Sequence, residues 1–371
     1  MKVLVVIPTY NENDNIVKLL ETIIRLKWRG LDILVVDDNS PDGTSDAVKR
    51  LKSKITHSTS SGQENQKSNI FILDRKKKEG LGKAYVAGFK WALARNYDRI
   101  VTMDADFSHH PKYLPIILEK AKKYDLVIGS RYIKGGKIVG WEWFRYFNSL
   151  SANIFTKLLL ILDPKDVTAG FKCYSRKFLQ AIRMKDLLAS GYAFQVEMIY
   201  LAKEKGIKMI EIPITFIDRR AGKSKISGEL GKSIKAVFQL AMQKRTYRQM
   251  VKFAIVGALG AAVDWSIYLL LTRVISVYYL IARTISFCFG VLNNYLWNKF
   301  WTFKDKNGEI TVQFFRYLFV SGVGLIINLM IMYIIVDIFH SSDLYGLIAA
   351  TAVVGIWNFV ANKFWIFNNT D

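Results

Sequence analysis

The sequence has little cysteine and few acidic residues for its length. Two cysteines, Cys173 and Cys288, are too few for a chain of 371 residues to be a disulfide scaffold. Aspartate and glutamate number 31 against 53 lysines and arginines, which gives a net charge of +22. Hydrophobic residues make up 51% of the chain, and this excludes an intrinsically disordered protein. Such a basic, apolar chain favours nucleic acid or a membrane surface as its partner.

An apolar leader is also missing from the start of the sequence. Met1–Thr9 leads directly into a strand pattern, so we expect no cleaved signal peptide. The basic excess is confined to the front of the chain, because residues 1–250 carry a net +20 and residues 251–371 only +2. This distribution predicts a basic soluble domain followed by a hydrophobic one.

Four apolar runs in the tail are long enough to cross a bilayer, which takes about 20 residues. We predict spans at about 253–275, 278–297, 314–339 and 344–364. A soluble all-helical domain is the alternative, but it would have to bury all four runs. The sequence therefore favours a multi-pass membrane domain.

The two halves of this tail repeat each other at an offset of 64 residues. Lys252–Gly260 matches Arg316–Gly324, and Asn294–Phe303 matches Asn358–Phe367. Each repeat contains two predicted spans. The two helical hairpins should therefore run in the same direction through the membrane, unlike an inverted repeat.

Basic residues cluster before the first predicted span and in the central connection, so the positive-inside rule places both termini in the cytoplasm. Trp141–Leu162 and Gly231–Tyr247 mix aromatic, basic and apolar residues, which fits helices lying in the membrane interface. Packing against the soluble domain is the competing interpretation, especially for the first. We predict an α/β domain at 1–230, an interfacial linker at 231–250 and a transmembrane domain at 251–371.

Short apolar strands alternate with helical patterns in the first 230 residues. The clearest strands are Val3–Pro8, Ile33–Val36, Ile70–Leu73, Ile100–Met103 and Leu126–Gly129. The alternation predicts an α/β fold with a mostly parallel sheet. In such a sheet, ligands bind beyond the carboxyl ends of the strands.

Acidic side chains follow three of these strands. Glu12 follows the first and Asp38 the second, while Asp104 and Asp106 come directly after a third. Asp-x-Asp alone is a weak signal, but three acidic strand ends at one edge predict a site for a cation or for ligand hydroxyls. Two carboxylates with the Ser108 hydroxyl behind them suit Mg²⁺ or Mn²⁺, which would bridge diphosphate oxygens.

Five motifs occur in order along this domain. They are Pro8-Thr-Tyr-Asn-Glu12, Val35-Val-Asp-Asp-Asn-Ser-Pro-Asp-Gly-Thr44, Gly80-Leu-Gly-Lys-Ala-Tyr85, Met103-Asp-Ala-Asp-Phe-Ser-His-His-Pro111 and Gly129-Ser-Arg-Tyr132. Together they resemble the dolichol-phosphate (polyprenol-phosphate) mannose synthases, which are inverting glycosyltransferases of family 2 with a GT-A fold. The tail resembles the GtrA-like membrane domain. The resemblance implies a GT-A α/β domain followed by an all-α, four-helix transmembrane domain.

The resemblance also assigns roles to residues. The nucleotide pocket would contain Pro8, Tyr10, Glu12, Val36 and Asp38. The nucleotide sugar and its metal would be held by Asp104 and Asp106, with Ser108 where some relatives have a glutamine ligand. The donor diphosphate and the acceptor phosphate would be held by Arg131, Arg219 and Lys225. Asp106 and these three cations form the expected catalytic set.

The implied reaction is transfer of mannose from GDP-mannose to polyprenyl (dolichyl) phosphate, with inversion, at the cytoplasmic face of the cell membrane. A lipid phosphate is already anionic, so it needs positioning and charge shielding rather than a general base. We expect Mg²⁺ or Mn²⁺ as cofactor, the bilayer as partner, and no nucleic acid. Two alternatives stay open, namely a glucosyltransferase that uses UDP-glucose and a protein that binds or translocates a lipid-linked sugar.

Overall fold

The computed structural model of the chain divides into two compact units, Met1–Ala241 and Met242–Asp371. The residues it describes are 1–57, 68–187, 193–218 and 229–367. We refer to the two parts as the N-terminal unit and the C-terminal unit. The division of residues 231–250 into a separate interfacial linker stays a prediction.

Strands and helices alternate through the first half of the N-terminal unit. The described strands are β1 (Val3–Thr9), β2 (Leu31–Asp37), β3 (Ile70–Asp74), β4 (Arg99–Thr102), β5 (Leu126–Ser130), β6 (Lys137–Val139), β7 (Lys172–Ser175), β8 (Met209–Pro213) and β9 (Thr215–Ile217). The described helices before residue 245 are α1 (Asn13–Ile24), α2 (Thr44–His57), α3 (Leu81–Ala94), α4 (Leu114–Lys120), α5 (Trp143–Leu160), α6 (Arg176–Ala181), α7 (Ala193–Glu204) and α8 (Glu229–Gln243). The continuous Val, Ile and Leu runs of β1 and β2 are buried, as expected for strands covered on both faces.

Seven strands form one sheet in the order β3-β2-β1-β4-β7-β5-β8, and β6 pairs with β9 separately. Neighbouring strands of the large sheet are parallel except at β7, which runs antiparallel to β4 and β5. The predicted α/β fold with a mostly parallel sheet is confirmed, although the antiparallel β7 was not predicted. The chain leaves β1 on one side for β2 and returns on the other side as β4. This reversal makes the ends of these three strands the expected ligand crevice.

Close helix packing supports the strands that lead to this crevice. Gly88 of α3 lies so near β1 that a Cβ there would come within 2.5 Å of Val6 Cγ1. On the other face of the sheet, Val5 and Ile33 share a buried cluster with Leu19 of α1 and Leu118 of α4. The crevice thus lies at the carboxyl ends of the strands, and helices cover both faces of the sheet.

The described residues of the C-terminal unit form four long helices. They are α9 (Arg245–Leu269), α10 (Tyr279–Trp297), α11 (Ile310–Tyr333) and α12 (Asp343–Ala361), each followed by one turn of π-helix. Two of them, with their π turns, are long and apolar enough to cross a membrane, at Arg245–Val274 and Ile310–Ile338. That the four helices cross a membrane stays a prediction.

Equivalent residues of the two sequence repeats meet each other in this unit. Phe303 and Phe367, which are 64 residues apart, stack with their ring centroids 5.1 Å apart and their planes at 22°. A contact between equivalent residues is what an approximate two-fold axis between the repeats would produce. The direction in which the two hairpins run through a membrane stays a prediction.

Candidate active site

The carboxyl ends of β1 and β2 bring the residues predicted for the nucleotide pocket together. Pro8 pairs with Val36 across the two strands. One residue further on, the Asp38 backbone N–H donates to the Thr9 carbonyl at 3.0 Å. β4 pairs with β1 on its other side, so its carboxyl end shares this edge.

The loops after β1 and β2 are fastened to each other by short polar side chains. The Thr9 hydroxyl donates to Asp37 Oδ1 at 2.8 Å, and the Asn13 backbone N–H donates to Asp42 Oδ2 at 3.0 Å. Glu12 lies between these contacts, immediately before α1. The position of Glu12 is thus fixed by the fold before any ligand binds.

Asp38 has a partner that the sequence reasoning missed. Arg75 Nη1 donates to Asp38 Oδ1 at 2.5 Å, and Arg75 Nη2 donates to Glu79 Oε2 at 2.6 Å. In the same loop, the Lys78 ammonium lies 3.9 Å from the centroid of the Tyr10 ring. Arg75 directly follows β3, so the strand-end rule that identified Asp38 would also have identified Arg75.

Asp104 and Asp106 follow β4, and different neighbours hold them. The Tyr85 hydroxyl donates to Asp104 Oδ1 at 3.1 Å. Burial and the nearby Asp104 charge raise the pKa of Tyr85 well above its ordinary value, so this hydroxyl stays a donor. Asp106 Oδ1 accepts from the Ser108 backbone at 3.1 Å and from its hydroxyl at 2.6 Å. Ser108 thus orients Asp106, and ligation of a metal by Ser108 stays a prediction.

His109 lies beside Asp104 in a structural role. Its Nδ1 accepts from the Asp104 backbone N–H at 3.2 Å, and its ring stacks on Phe171 at 5.2 Å. The same Nδ1 lies 3.5 Å from Asp104 Oδ2. Gly170 leaves little room, since a Cβ there would lie 3.0 Å from His109 Cε1.

The site offers few protein ligands for a cation. No group of three or more His, Cys, Asp and Glu side chains converges anywhere among the residues that the structure describes. Asp104 and Asp106 supply carboxylate oxygens, which suit a hard divalent cation that takes its other ligands from diphosphate and water. The donor set therefore fits Mg²⁺ or Mn²⁺ bound together with a nucleotide sugar.

Arg131, which directly follows β5, donates hydrogen bonds to two side chains and lies against aromatic rings. Its Nε and Nη2 donate to Asp166 Oδ2 and Oδ1, both at 2.8 Å, and Nη2 also donates to the Thr168 hydroxyl at 2.7 Å. The guanidinium lies 5.7 Å from the Trp141 ring centroid and 5.5 Å from that of Phe216. Within the described part of the chain, Nη1 donates to no acceptor.

Both members of the Arg131–Asp166 pair are charged. Burial acts to lower the pKa of Arg131, but the Asp166 carboxylate outweighs it and the pKa is raised. Burial likewise acts to raise the pKa of Asp166, but the charge and hydrogen bonds of Arg131 outweigh it and the pKa is lowered. Asp104 also contributes to the shift of Arg131, so the two lie within electrostatic reach of each other.

Arg219 and Lys225 lie outside the described residues, and their predicted roles stay predictions. The described chain reaches Asp218, whose Oδ2 accepts from Arg145 Nη1 at 2.7 Å. Arg145 also lies 4.6 Å from the Trp141 ring centroid, so this ring is shared with Arg131. A second arginine therefore stands near the first, where the sequence indicated only an amphipathic helix.

Helix α5 has its apolar side outward. Trp143 is 79% exposed, Leu158 70% and Phe147 60%. Polar Asn153 is buried instead, and its Oδ1 accepts from the Val167 backbone N–H at 2.8 Å. Exposed apolar patches of this kind mark contact with a membrane or with another protein.

Two family models match the chain. Residues 4–183 match "Glycosyl transferase family 2", and residues 252–367 match "GtrA/DPMS, transmembrane domain". The second match and the two long apolar helices indicate a membrane protein.

Curated relatives resemble the chain over most of their length. An undecaprenyl-phosphate mannosyltransferase of Micrococcus luteus is 41% identical over 62% of this chain and 88% of its own. A dolichol-phosphate mannosyltransferase of Pyrococcus furiosus is 32% identical over 90% of this chain and 91% of its own. A solved structure, glucosyl-3-phosphoglycerate synthase of Mycobacterium tuberculosis with Mg²⁺ and UDP, is 16% identical with a TM-score of 0.47 over 65% of this chain and 79% of that one. The matched domains and the identity to these mannosyltransferases place the chain in glycosyltransferase family 2, among the polyprenol-phosphate mannosyltransferases that carry a GtrA/DPMS membrane domain.

Proposed function

We propose that this protein transfers mannose from GDP-mannose to a polyprenyl (dolichyl) phosphate with inversion of configuration. The names of its relatives support mannose as the sugar and a polyprenyl phosphate as the acceptor. The observation that carries the proposal is the Arg131 guanidinium, held by two hydrogen bonds to Asp166 at the same edge of the sheet as Asp104 and Asp106. In this arrangement the carboxylates of Asp104 and Asp106 would bind the metal and diphosphate of the donor, and Arg131 would bind the phosphate of the acceptor.

The donor half of the site consists of the ends of β1, β2 and β4. Pro8, Tyr10, Glu12, Val36 and Asp38 would surround the nucleoside. Asp104 and Asp106 would hold Mg²⁺ or Mn²⁺, and a bound divalent ion supplies positive charge that stabilises the departing diphosphate. Tyr85 and Ser108 keep the two carboxylates in place before the donor binds.

The acceptor half depends on cations rather than on a base. A phosphate monoester is anionic at neutral pH, so no proton has to be removed from the attacking oxygen. Arg131 would orient that phosphate, together with Arg219 and Lys225 of the segment that follows β9. The phosphate oxygen forms a bond to the anomeric carbon while the bond from that carbon to the diphosphate breaks, and GDP leaves from the opposite face.

The lipid acceptor explains why the enzyme is attached to a membrane. A polyprenyl chain is costly to extract, at about 0.8 kcal/mol per CH₂ group, so the phosphate must be met at the bilayer surface. The outward apolar side of α5 suits this surface. We infer that all four long helices cross the bilayer, with the N-terminal unit and both termini in the cytoplasm.

A donor panel tests the proposal. The purified protein is incubated in detergent with polyprenyl phosphate, Mg²⁺ and radiolabelled GDP-mannose, UDP-glucose or other nucleotide sugars, and lipid-linked product is extracted. We expect a mannolipid from GDP-mannose and none from an Asp106→Ala variant. A preference for UDP-glucose would refute GDP-mannose as the donor. Absence of any glycolipid would refute the enzyme and favour a protein that binds or translocates lipid-linked sugar.

A further inference from the structure

The loop between β3 and α3 contacts both strand ends that are expected to hold the nucleotide. Arg75 donates to Asp38, which follows β2, and Lys78 lies over the ring of Tyr10, which follows β1. The two contacts come from residues three apart in one short loop. This loop is therefore a wall of the pocket, although no motif in it was assigned a role.

The Arg75 side chain is largely buried and is held in place by several contacts. Its side chain is 11% exposed and that of Asp38 is 7%. Its backbone N–H donates to the Asp37 carbonyl at 2.8 Å, which fixes where the side chain starts. Glu79 receives the other end of the guanidinium at 2.6 Å. A planar group fixed at both ends imposes one orientation on the carboxylate that it touches, which a lysine cannot do.

An oriented carboxylate can discriminate between bases. An ionised carboxylate only accepts hydrogen bonds and has about four acceptor sites. On Asp38, Arg75 Nη1 donates to Oδ1 and the Glu79 backbone N–H donates to Oδ2 at 3.4 Å, which leaves sites for a ligand. Guanine presents two adjacent donors, N1–H and the 2-amino group. Hypoxanthine lacks the amino group, and uracil presents a single N3–H.

We propose that Arg75 is a specificity-determining positioning residue, which holds Asp38 so that it accepts from the two adjacent donors of guanine. The inference rests on the proposed function, because it assumes that a nucleoside diphosphate occupies this pocket. Without Arg75, the Asp38 carboxylate would lose its fixed plane and its charge partner. It would then no longer favour a two-donor edge over a one-donor edge.

Calorimetric titration of the full-length protein in detergent with Mg²⁺ tests this role. GDP, IDP and UDP are titrated into wild type, Arg75→Met, Arg75→Lys and the control Arg99→Met. Arg99 is also partly buried and pairs with Asp125 at 4.0 Å, but it lies at the start of β4, away from the pocket. Melting curves establish that each variant is folded.

In wild type, we expect GDP to bind about tenfold more tightly than IDP, the loss typical of one hydrogen bond to a charged group. In Arg75→Met, the affinity for GDP should fall about tenfold or more, and the ratio of the GDP affinity to the IDP affinity should fall to about one. Arg75→Lys should also lose the ratio, and it decides the question if Arg75→Met does not fold. In turnover, the KM for the donor should rise while kcat and the KM for the lipid change little.

A GDP-to-IDP ratio within about twofold of wild type in both Arg75 variants would overturn the inference. The control should keep the wild-type ratio, and loss of the ratio in Arg99→Met would also count against it. Tighter binding of UDP than GDP by wild type would instead refute the proposed donor. Failure of the inference is therefore seen in the Arg75 variants, whereas failure of the proposed donor is seen in wild type.

Discussion

The guanidinium of Arg131 and the carboxylate of Asp166 are joined by two hydrogen bonds of 2.8 Å each. Asp166 is itself anchored, because its backbone N–H donates to Glu211 Oε1 of β8 at 3.0 Å. The cation expected to meet the lipid phosphate is thus tied to the sheet through Asp166. An arginine that is already ordered loses less entropy when it binds a phosphate.

Asp166→Asn should therefore impair acceptor binding through Arg131. The amide keeps the shape but removes the charge, and it leaves Arg131 buried without its ionic partner, a loss of about 3–5 kcal/mol in stability. We expect kcat/KM for polyprenyl phosphate to fall about 10- to 100-fold, with a smaller change in KM for the donor. Initial rates at varied acceptor concentration and melting temperatures measure both effects.

The matched control is Asp163→Asn. Asp163 is 75% exposed and pairs with Lys203 at 3.3 Å, so its loss should change rate and stability little. If Asp166→Asn left the acceptor KM at the wild-type value, the link from Asp166 to the lipid phosphate would be wrong.

Tyr85→Phe should weaken metal activation. The substitution removes the hydroxyl that donates to Asp104 at 3.1 Å and changes little else in a buried, stacked ring. We expect the Mg²⁺ concentration for half-maximal activity to rise about three- to tenfold, because the Asp104 carboxylate loses one of the donors that orient it. Activity measured across a metal titration tests this.

Tyr97→Phe separates this effect from general destabilisation. The Tyr97 hydroxyl donates to Asp32 at 2.7 Å near the start of β2, so this variant loses a comparable bond away from the site. It should melt earlier but need the same Mg²⁺ concentration as wild type. An equal shift in metal requirement for both variants would argue against a specific role of Tyr85.

How much of the site the sequence could reveal depended on where each residue stands. Asp38 and Asp104 follow parallel strands, so the strand-end rule predicted their common edge. Asp166 precedes the antiparallel β7 and reaches Arg131 only through the tertiary fold. Lys172 and its neighbours were not recognised as a strand, because a buried four-residue segment with a lysine and a serine carries no clear period-two pattern.

The sequence of helix α5 also did not reveal which of its sides faces outward. Its pattern was compatible with the membrane interface and with packing on the sheet. Only the fold shows that Asn153 faces inward and Trp143 outward. The apolar side of a helix reports which environment it needs, but not which environment the rest of the chain provides.

Lys172 should make stability depend on pH. Its Nζ is fully buried and donates to the Gln195 carbonyl at 3.0 Å and to Gln195 Oε1 at 2.8 Å. Burial lowers its pKa from 10.5 to about 7, with Asp166 opposing and Arg131 reinforcing the shift. Between these values the unfolded chain holds the proton and the folded chain releases it, so folding becomes more favourable as the pH rises through this window.

Lys172→Met removes this titration. We expect the melting temperature of wild type minus that of the variant to increase from about pH 6.5 to about pH 9.5, and to be flat below that range. Thermal unfolding of both full-length proteins in detergent at several pH values gives this difference. Lys205→Met removes an exposed lysine just beyond α7 as a control, and an equal pH-dependent difference there would contradict the assignment to Lys172.

The outward side of α5 should serve the lipid acceptor specifically. Replacing Trp143, Phe147 and Leu158 by serine removes large exposed side chains, each worth about 1.5–3 kcal/mol when buried in an apolar phase. We expect the KM for long-chain polyprenyl phosphate in vesicles to rise about tenfold or more, while activity on a short-chain, water-soluble acceptor changes less than about twofold. Ile116→Ser, which removes a side chain of α4 that is 44% exposed, is the control and should alter neither value. Equal losses on both acceptors would mean that the α5 surface supports the fold rather than the membrane contact. A defect in the fold of the N-terminal unit would slow the reaction whatever the length of the lipid chain.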